Sequence, residues 1–501
     1  MKVQQLLDHH GIARNPFAEE DAQTDPVFKE HCIESTYHPT WDKVYGDPSE
    51  PSTSIIFGEK GSGKTAMRLQ LARHLEQYNQ AHPGRRLFVV HYDDFNPFLD
   101  RFRDRLGSRN RKAEKTLALW KLWDHMDSIL SLAVTGLVDR ILEVRQPSPA
   151  VVCEIDQRDV DKLDRHQSRD LLLLAACYDQ STAETFKGRW HRLRRRLKFS
   201  TWQNYWQLAV GWSATALILL IVLLVWYQGG QAWLPPWWVY AILVAAAWTP
   251  WLLKVWKNFW LARGVLRRMR VGIHETNPLR QVLMQFLPAE LSGQPLPNKD
   301  STDDRYELLL KFQGLLQTLG HHGIVVLVDR IDEPHLVNGS AELMKALLWP
   351  MLDNKFLKHP GLGLKLMLPI ELTRFIEREE RDFYQRARLD KQNMVPSFEW
   401  TGEALHDLAA ARVKACAVPG RDPALTDLFD ASITQARLIE SFRNLRVPRR
   451  LFKFLYRLIA AHANAHTDQN PSWKISSNLY ESTLALSLRD QDAFDRGVGA
   501  G

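Results

Sequence analysis

Gly58-Glu59-Lys60-Gly61-Ser62-Gly63-Lys64-Thr65 fits the spacing G-x-x-x-x-G-K-[ST]. The chemistry open to such a stretch is the holding of a polyphosphate. Its glycines let successive backbone N–H groups converge on one anion, and a helix starting behind the loop aims its positive end at the same charge. In that arrangement Lys64 reaches the β- and γ-phosphates, and the Thr65 hydroxyl completes the shell of a Mg²⁺ ion. The metal needs an acid as well. Asp329 ends the apolar run Gly323-Ile324-Val325-Val326-Leu327-Val328. A carboxylate leaving a buried strand there would hold Mg²⁺ through water, opposite Thr65. Asp332 and Glu333 follow one short turn later. One of the two would orient or deprotonate an attacking water, with Glu333 preferred. No guanine-specific motif accompanies the loop; ATP is the expected nucleotide, with GTP left open as the alternative.

Strand ends and helix starts must position these groups. Thr53-Ser54-Ile55-Ile56-Phe57, just before the loop, is β-rich and uninterrupted, and Ala66-Met67-Arg68-Leu69-Gln70-Leu71-Ala72-Arg73, just after it, has helical character. Further buried strands are expected at 86–92, which runs into Asp93-Asp94, at 323–329 and at 364–369. Residues 394–400 suit a shorter edge strand because of Pro396. The first fifty residues look like loop and short helices, 98 to about 190 like soluble amphipathic helices, and 402 to about 486 like helices without strand. The last ten residues look like a loose tail. The fold class that follows is α/β: the parallel sheet of a P-loop NTPase, with a helical C-terminal lid and an inserted two-helix transmembrane hairpin. The expected division is 1–97 for the N-terminal segment and first part of the NTPase domain, and 98–198 for a helical cytoplasmic insertion. Residues 199–270 form the hairpin with its flanks, 271–401 the second part of the NTPase domain, and 402–501 the lid. Residues 58–65, Asp93 and Asp329 then fall at the carboxyl ends of strands, where such sheets bind ligands.

The hairpin follows from 199–253, which contain no charged residue. Two apolar runs lie inside, 208–227 and 233–253, joined by Gln228-Gly229-Gly230-Gln231. Each covers ~30 Å as a helix, the thickness of the bilayer hydrocarbon. Trp202, Trp206, Trp212, Trp226, Trp233, Trp237, Trp238, Trp251 and Trp256 fall at interface depths. The net charge of +7 is concentrated on the flanks: seven Lys/Arg lie from Lys187 to Lys198 and six from Lys254 to Arg270, with no acid in either stretch. Elsewhere acids outnumber bases, which argues for membrane lipids and against nucleic acid as the partner. The positive-inside rule puts both chain ends in the cytoplasm and the connection outside. The absence of charge within the hairpin counts against a transport or channel component. Residues 1–8 carry no long apolar run, so no cleaved signal peptide is expected. Cys32, Cys153, Cys177 and Cys416 form no C-x-x-C pair, which argues against a disulfide framework or zinc site and fits a reducing compartment.

Three other groups are weaker candidates. His9-His10 and His321-His322 lack partners at metal-ligand spacing and are expected to be surface or loop histidines. Arg374, Arg378 and Arg381 interleave with Glu377, Glu379 and Glu380, which suits a solvated helix face better than an arginine finger acting in trans. Glu371 lies just beyond the strand at 364–369, near a first-sensor position.

A P-loop and a distant Asp-terminated strand, separated by an insertion with two transmembrane helices, resembles the KAP family of P-loop NTPases, within the wider STAND/AAA-like group. In that family the second motif is a hydrophobic run followed by D-D-L-D-R or a near variant. Asp329-Arg330-Ile331-Asp332-Glu333 matches at its first and fourth positions. Arg330 replaces the second acid, and Glu333 stands in place of the basic residue. The resemblance covers about residues 50–465 in layout and is carried by three short motifs. The third is a P-R-x-x-K/R-type helix start, here Pro448-Arg449-Arg450-Leu451-Phe452-Lys453-Phe454. It implies Arg449 as a second-sensor residue reaching the γ-phosphate from the lid. For function the resemblance implies ATP- and Mg²⁺-driven conformational change at the cytoplasmic face of the inner membrane. It also implies a homo-oligomer or a protein partner, and a role in signalling scaffolds or bacterial phage exclusion. The altered second motif suits an alternative, a nucleotide-gated membrane scaffold with negligible hydrolysis.

Overall fold

Continuous apolar runs bounded by turn residues become the strands of one sheet. The computed structural model describes residues 1–227 and 236–495, without the side chains of 203 and 492–495. The strands are β1 Ser54–Gly58, β2 Arg86–Tyr92, β3 Val151–Val152, β4 His321–Val328, β5 Leu362–Pro369 and β6 Asn393–Val395, in the order β3-β2-β4-β5-β1-β6. β1 runs parallel to β5, with Ser54 opposite Lys365 and Gly58 opposite Pro369, and parallel to β6, with Ser54 opposite Asn393. Every residue of β1 and β5 is buried. Strands covered on both faces have no polar face to alternate with, and the two polar side chains inside them, Ser54 and Lys365, both donate to the Val44 carbonyl. β6 is an edge strand, as expected, but covers Asn393–Val395 and stops before Pro396 instead of running through 394–400. β3 pairs antiparallel with β2 and lies in the segment expected to be helical throughout. Two residues are too few to leave a period-two signal. Gly136 admits them, because a Cβ there would stand 2.5 Å from the Val151 side chain.

The helices that bear on the site and the hairpin are α1 Lys64–Ala81, α2 Leu122–Ile141, α3 Phe186–Arg196, α4 Trp206–Tyr227, α5 Trp237–Arg268, α6 Gly402–Ala415, α7 Pro448–Ala465 and α8 Ser477–Asp495. The chain forms two compact units. One comprises Met1–His82, Val325–Leu348 and the chain from Leu352 onward. Its core joins the two ends of the chain: Leu6, Leu7, Phe17 and Phe28 pack with Leu405, Leu451, Phe454 and Leu458. α7 buries Leu451, Leu455, Leu458, Ile459 and His462, the three- and four-residue spacing of one helix face. Residues 492–495, expected in a loose tail, instead continue α8, while 496–501 lie outside the described residues.

The other unit comprises Pro83–Ile324 and Trp349–Met351. Its α2 is buried along most of its length and carries Asp124, Asp127 and Asp139 inside the protein. Buried carboxylates need partners, and each has an arginine. Asp127 meets Arg305 at 3.0 Å. Asp139 meets Arg189 at 2.7 Å, and Arg189 also holds Asp179 at 2.6 Å. Asp124 accepts from Arg270 Nε at 3.0 Å. Arg189 lies in α3 and Arg270 just past α5, so these pairs flank the apolar hairpin. α4 and α5 are long and apolar enough to cross a membrane, and 6% of each apolar window is buried. They meet where a Cβ on Gly211 would stand 3.1 Å from the Trp248 indole, and Trp248 Nε1 donates to Thr215 Oγ1 at 3.1 Å. The connection at 228–231 and Trp233 lie outside the described residues.

Candidate functional site

β1 feeds the loop and α1 leaves it. Gly61 and Gly63 have φ of +86° and +96°, where a side chain would be strained. Gly61 has a second constraint, since a Cβ there would stand 2.6 Å from the Arg449 Cβ. α1 starts at Lys64, so the free N–H groups of its first turn belong to the loop. The Ser62 hydroxyl is buried without a hydrogen-bond partner among the described residues, while Trp400 Nε1 donates to the Ser62 carbonyl at 2.7 Å. Lys64 folds back over the loop, its Nζ donating to the Gly58 carbonyl at 2.7 Å and the Glu59 carbonyl at 2.9 Å. Burial pulls the Lys64 pKa below the usual lysine range, against the opposing pull of Asp329, Asp332 and Glu371.

Asp329 follows β4 directly. Thr65 Oγ1 donates to its Oδ2 at 2.9 Å, across 264 positions of sequence. The Arg330 amide donates to its Oδ1 at 3.0 Å, and Arg68 Nε stands 3.3 Å from its Oδ2. Burial pushes the Asp329 carboxyl above the usual carboxylate range, and Arg68 is the strongest influence holding it down. Arg330 has φ +60°, and its guanidinium faces Glu333 at 3.5 Å and donates to Gln23. The arginine that stands in place of a second acid therefore engages the preferred base. Burial raises the Glu333 carboxyl and Arg330 lowers it, with burial the larger.

α7 brings Arg449 to the loop, and its amide donates to the Gly61 carbonyl at 3.3 Å. Glu20 lies 3.9 Å from the Arg449 guanidinium and 3.3 Å from Lys453 Nζ, and Arg450 meets Glu59 at 3.4 Å. A cavity of about 370 Å³ is bordered by Lys60, Gly61, Gly63, Lys64, Thr65, Asp329, Asp332, Glu333, Glu371 and Arg449. Gly58, Glu59 and Ser62 lie in the same loop without bordering it. Asp93 belongs to the other unit. Arg374, Arg378 and Arg381 do not border the cavity, and Arg374 lies over the Phe375 ring at 5.1 Å. His9 stacks on Trp473 at 4.2 Å, and His321, expected at the surface or in a loop, is instead buried at the start of β4 with Nδ1 3.1 Å from the Leu319 carbonyl.

Four neighbours of the loop were not anticipated from sequence. Arg68 carried a signal: three residues past Thr65, it shares that helix face. Glu20, His38 and Trp400 carried none, because they reach the loop by tertiary packing alone. His38 stacks on Phe398 at 3.7 Å and meets Trp400 edge-on at 4.9 Å, and burial pushes its pKa down to about 4, which keeps it neutral.

The donor set suits a nucleotide polyphosphate with Mg²⁺. A hard cation takes hydroxyl and carboxylate oxygens, and phosphate and water could supply the rest, so Thr65 and Asp329 are the two residues here that would hold it. Among the described residues no group of three or more His, Cys, Asp or Glu is arranged to hold a metal by itself. No family model, curated protein or solved structure matches this chain. Function has to be argued from the site.

Proposed function

We propose that the chain is a membrane-anchored P-loop ATPase of KAP/STAND type. It would couple Mg·ATP binding and hydrolysis to conformational signalling or assembly at the cytoplasmic face of the inner membrane, with both termini cytoplasmic. The observation that carries this is the 2.9 Å hydrogen bond from Thr65 Oγ1 to Asp329 Oδ2. A chance glycine loop gives no reason for the residue after its lysine to meet a strand-end acid. Lys64 would exchange the Gly58 and Glu59 carbonyls for phosphate oxygens, and charge-assisted hydrogen bonds are about twice as strong as neutral ones. The loop amides hold the remaining phosphate oxygens. Arg449, whose amide donates to the Gly61 carbonyl, would neutralise charge on the outer phosphate, and Glu333 or Asp332 would take the proton of the attacking water. Mg²⁺ supplies charge neutralisation and a template for in-line displacement. The exposed apolar surfaces of α4 and α5, with Trp212, Trp226, Trp237 and Trp238 among the exposed residues, support the anchoring. A role in phage exclusion and a homo-oligomeric or protein partner enter through the family resemblance.

One observation favours the scaffold alternative: Arg68 lies against Asp329 and Arg330 against Glu333, so the strand-end acid and the preferred base each carry a counter-ion. Purified full-length protein separates the two readings through Lys64→Ala and Glu333→Gln, compared for ATP binding and phosphate release. An ATPase binds and releases phosphate as wild type, does neither as Lys64→Ala, and binds without release as Glu333→Gln. Wild type that binds ATP yet releases no more phosphate than Lys64→Ala is a scaffold. Equal ATP binding by wild type and Lys64→Ala would remove the nucleotide site altogether.

A further inference from the structure

Past Leu253 the apolar run ends, yet α5 continues to Arg268, roughly 22 Å of helix beyond the hydrocarbon. Its two sides differ. Lys254, Asn258, Ala262 and Val265, and then Met269, are buried at four-, four-, three- and four-residue spacing. Trp256, Trp260, Arg263 and Arg267 lie on the opposite side of the helix and are exposed, the two indoles at 60% and 54%. Lys257 is exposed beside them.

The cations divide in the same way. Lys254 donates to Asn204, Arg268 pairs with Asp300, and Arg270 pairs with Asp124. Lys257, Arg263 and Arg267 have no acidic partner among the described residues, and Arg263 lies over the Trp260 ring at 6.0 Å. Indoles favour the boundary between hydrocarbon and water, and unpaired cations beside them favour phosphate. Pro250 cannot donate to the Ala246 carbonyl, and a helix bends most readily at such a turn, which lets the following segment lie along a surface.

We infer that this Trp–Arg face of α5 docks the anionic head groups of the leaflet it emerges from, an inference that rests on the membrane-anchored reading. Lys257, Arg263 and Arg267 take the lipid phosphates, while Trp256 and Trp260 sit at the depth of the ester groups. The ligand is an anionic phospholipid, because the apolar span runs directly into the stripe and a zwitterionic head group brings its own cation. The lipid charge of the leaflet thereby sets how firmly the exit of the hairpin is held.

The test reconstitutes the full chain in mixed phosphatidylcholine and phosphatidylglycerol, then counts retained lipids and protomers by native mass spectrometry. Wild type is expected to retain phosphatidylglycerol above its bulk proportion. At ~1 kcal/mol per cation, K257Q/R263Q/R267Q should lose on the order of a hundredfold in preference for the anionic lipid, and R263Q alone about fivefold. R268Q, whose cation is already paired, should lose none, and K257R/R263K/R267K should keep the enrichment. A triple variant that retains phosphatidylglycerol as wild type does overturns the proposal. So does one that changes only the protomer count, which would make the face a seat for a second copy. Wild type that fails to enter either lipid would instead remove the anchoring beneath the proposal, and the docking surface with it.

Discussion

Arg68→Met tests the electrostatics of the site at one position. The Arg68 and Asp329 side chains are 4% and 3% exposed, with Nε and Oδ2 3.3 Å apart. Removing one partner of a buried pair typically costs about 3–5 kcal/mol, because the other charge is left uncompensated. Asp329 keeps two hydrogen bonds, from Thr65 Oγ1 and the Arg330 amide, which brings the expected loss down to roughly 2–3 kcal/mol. R68M/D329N removes the stranded charge as well, so the double variant should be within about 1 kcal/mol of wild type. The assay is thermal melting of the detergent-solubilised full chain at one scan rate, where 1 kcal/mol corresponds to about 2–4 °C for a unit of some 250 residues. The pH dependence adds a second readout. Asp329 sits above the usual carboxylate range already, and Arg68 is the main influence holding it down. Without Arg68 the folded chain keeps a proton that the unfolded chain has released, so stability falls as pH rises from the carboxylate range through the folded pKa. The R68M deficit should therefore be smaller in acid than at neutral pH. Additive single effects, with a deficit that does not change with pH, would show that the pair is not coupled and refute the reasoning.

Two further outcomes follow from the geometry. Gly61→Ala meets both a φ of +86° and the Arg449 Cβ at 2.6 Å, a strain of about 1–3 kcal/mol relieved only by moving α7 off the loop. A fluorescent ATP analogue should bind it at least about tenfold more weakly, and unchanged binding would show that the Arg449 contact is dispensable. Lys365 is buried with Nζ on the Val44 and Tyr45 carbonyls and Ser54 Oγ, and burial pulls its pKa to about 7 from 10.5. Between those values the unfolded chain binds more protons, so stability rises with pH across the window, and Lys365→Met should abolish that rise in a melting series.

The central strands were legible because they are buried nearly throughout, and the β-branched residues and shortness of a run such as Gly323-Ile324-Val325-Val326-Leu327-Val328 favour strand over helix. The hairpin was legible because bilayer hydrocarbon excludes charge over a fixed length. The site was legible only where its residues obey a local spacing. Lys64 and Thr65 are fixed by the loop, and Asp329 by the end of its strand. The short strand β3 and the residues that wall the loop from elsewhere follow no such rule. Glu20 reaches Arg449 and Lys453, and Trp400 reaches the Ser62 carbonyl, through the packing of chain ends that sequence separates by hundreds of positions. Arg68 is the intermediate case: its helix face was predictable, but that the face meets Asp329 depends on the crossover.

How the hairpin is attached limits what it can do. α2 receives Arg189 from the approach to α4 and Arg270 from the exit of α5, at Asp139 and Asp124, about 22 Å apart along the helix axis. Arg105 adds donors to the Leu266 and Met269 carbonyls at 2.7 and 2.6 Å, satisfying groups that the end of α5 leaves free. Apolar packing would resist separation while allowing the helices to slide. Buried ion pairs tolerate no such slippage, because a displaced partner strands a charge. With Arg189 in α3 and Arg270 just past α5, the two pins hold both flanks of the hairpin to one helix, so displacing either flank would strand a charge on α2.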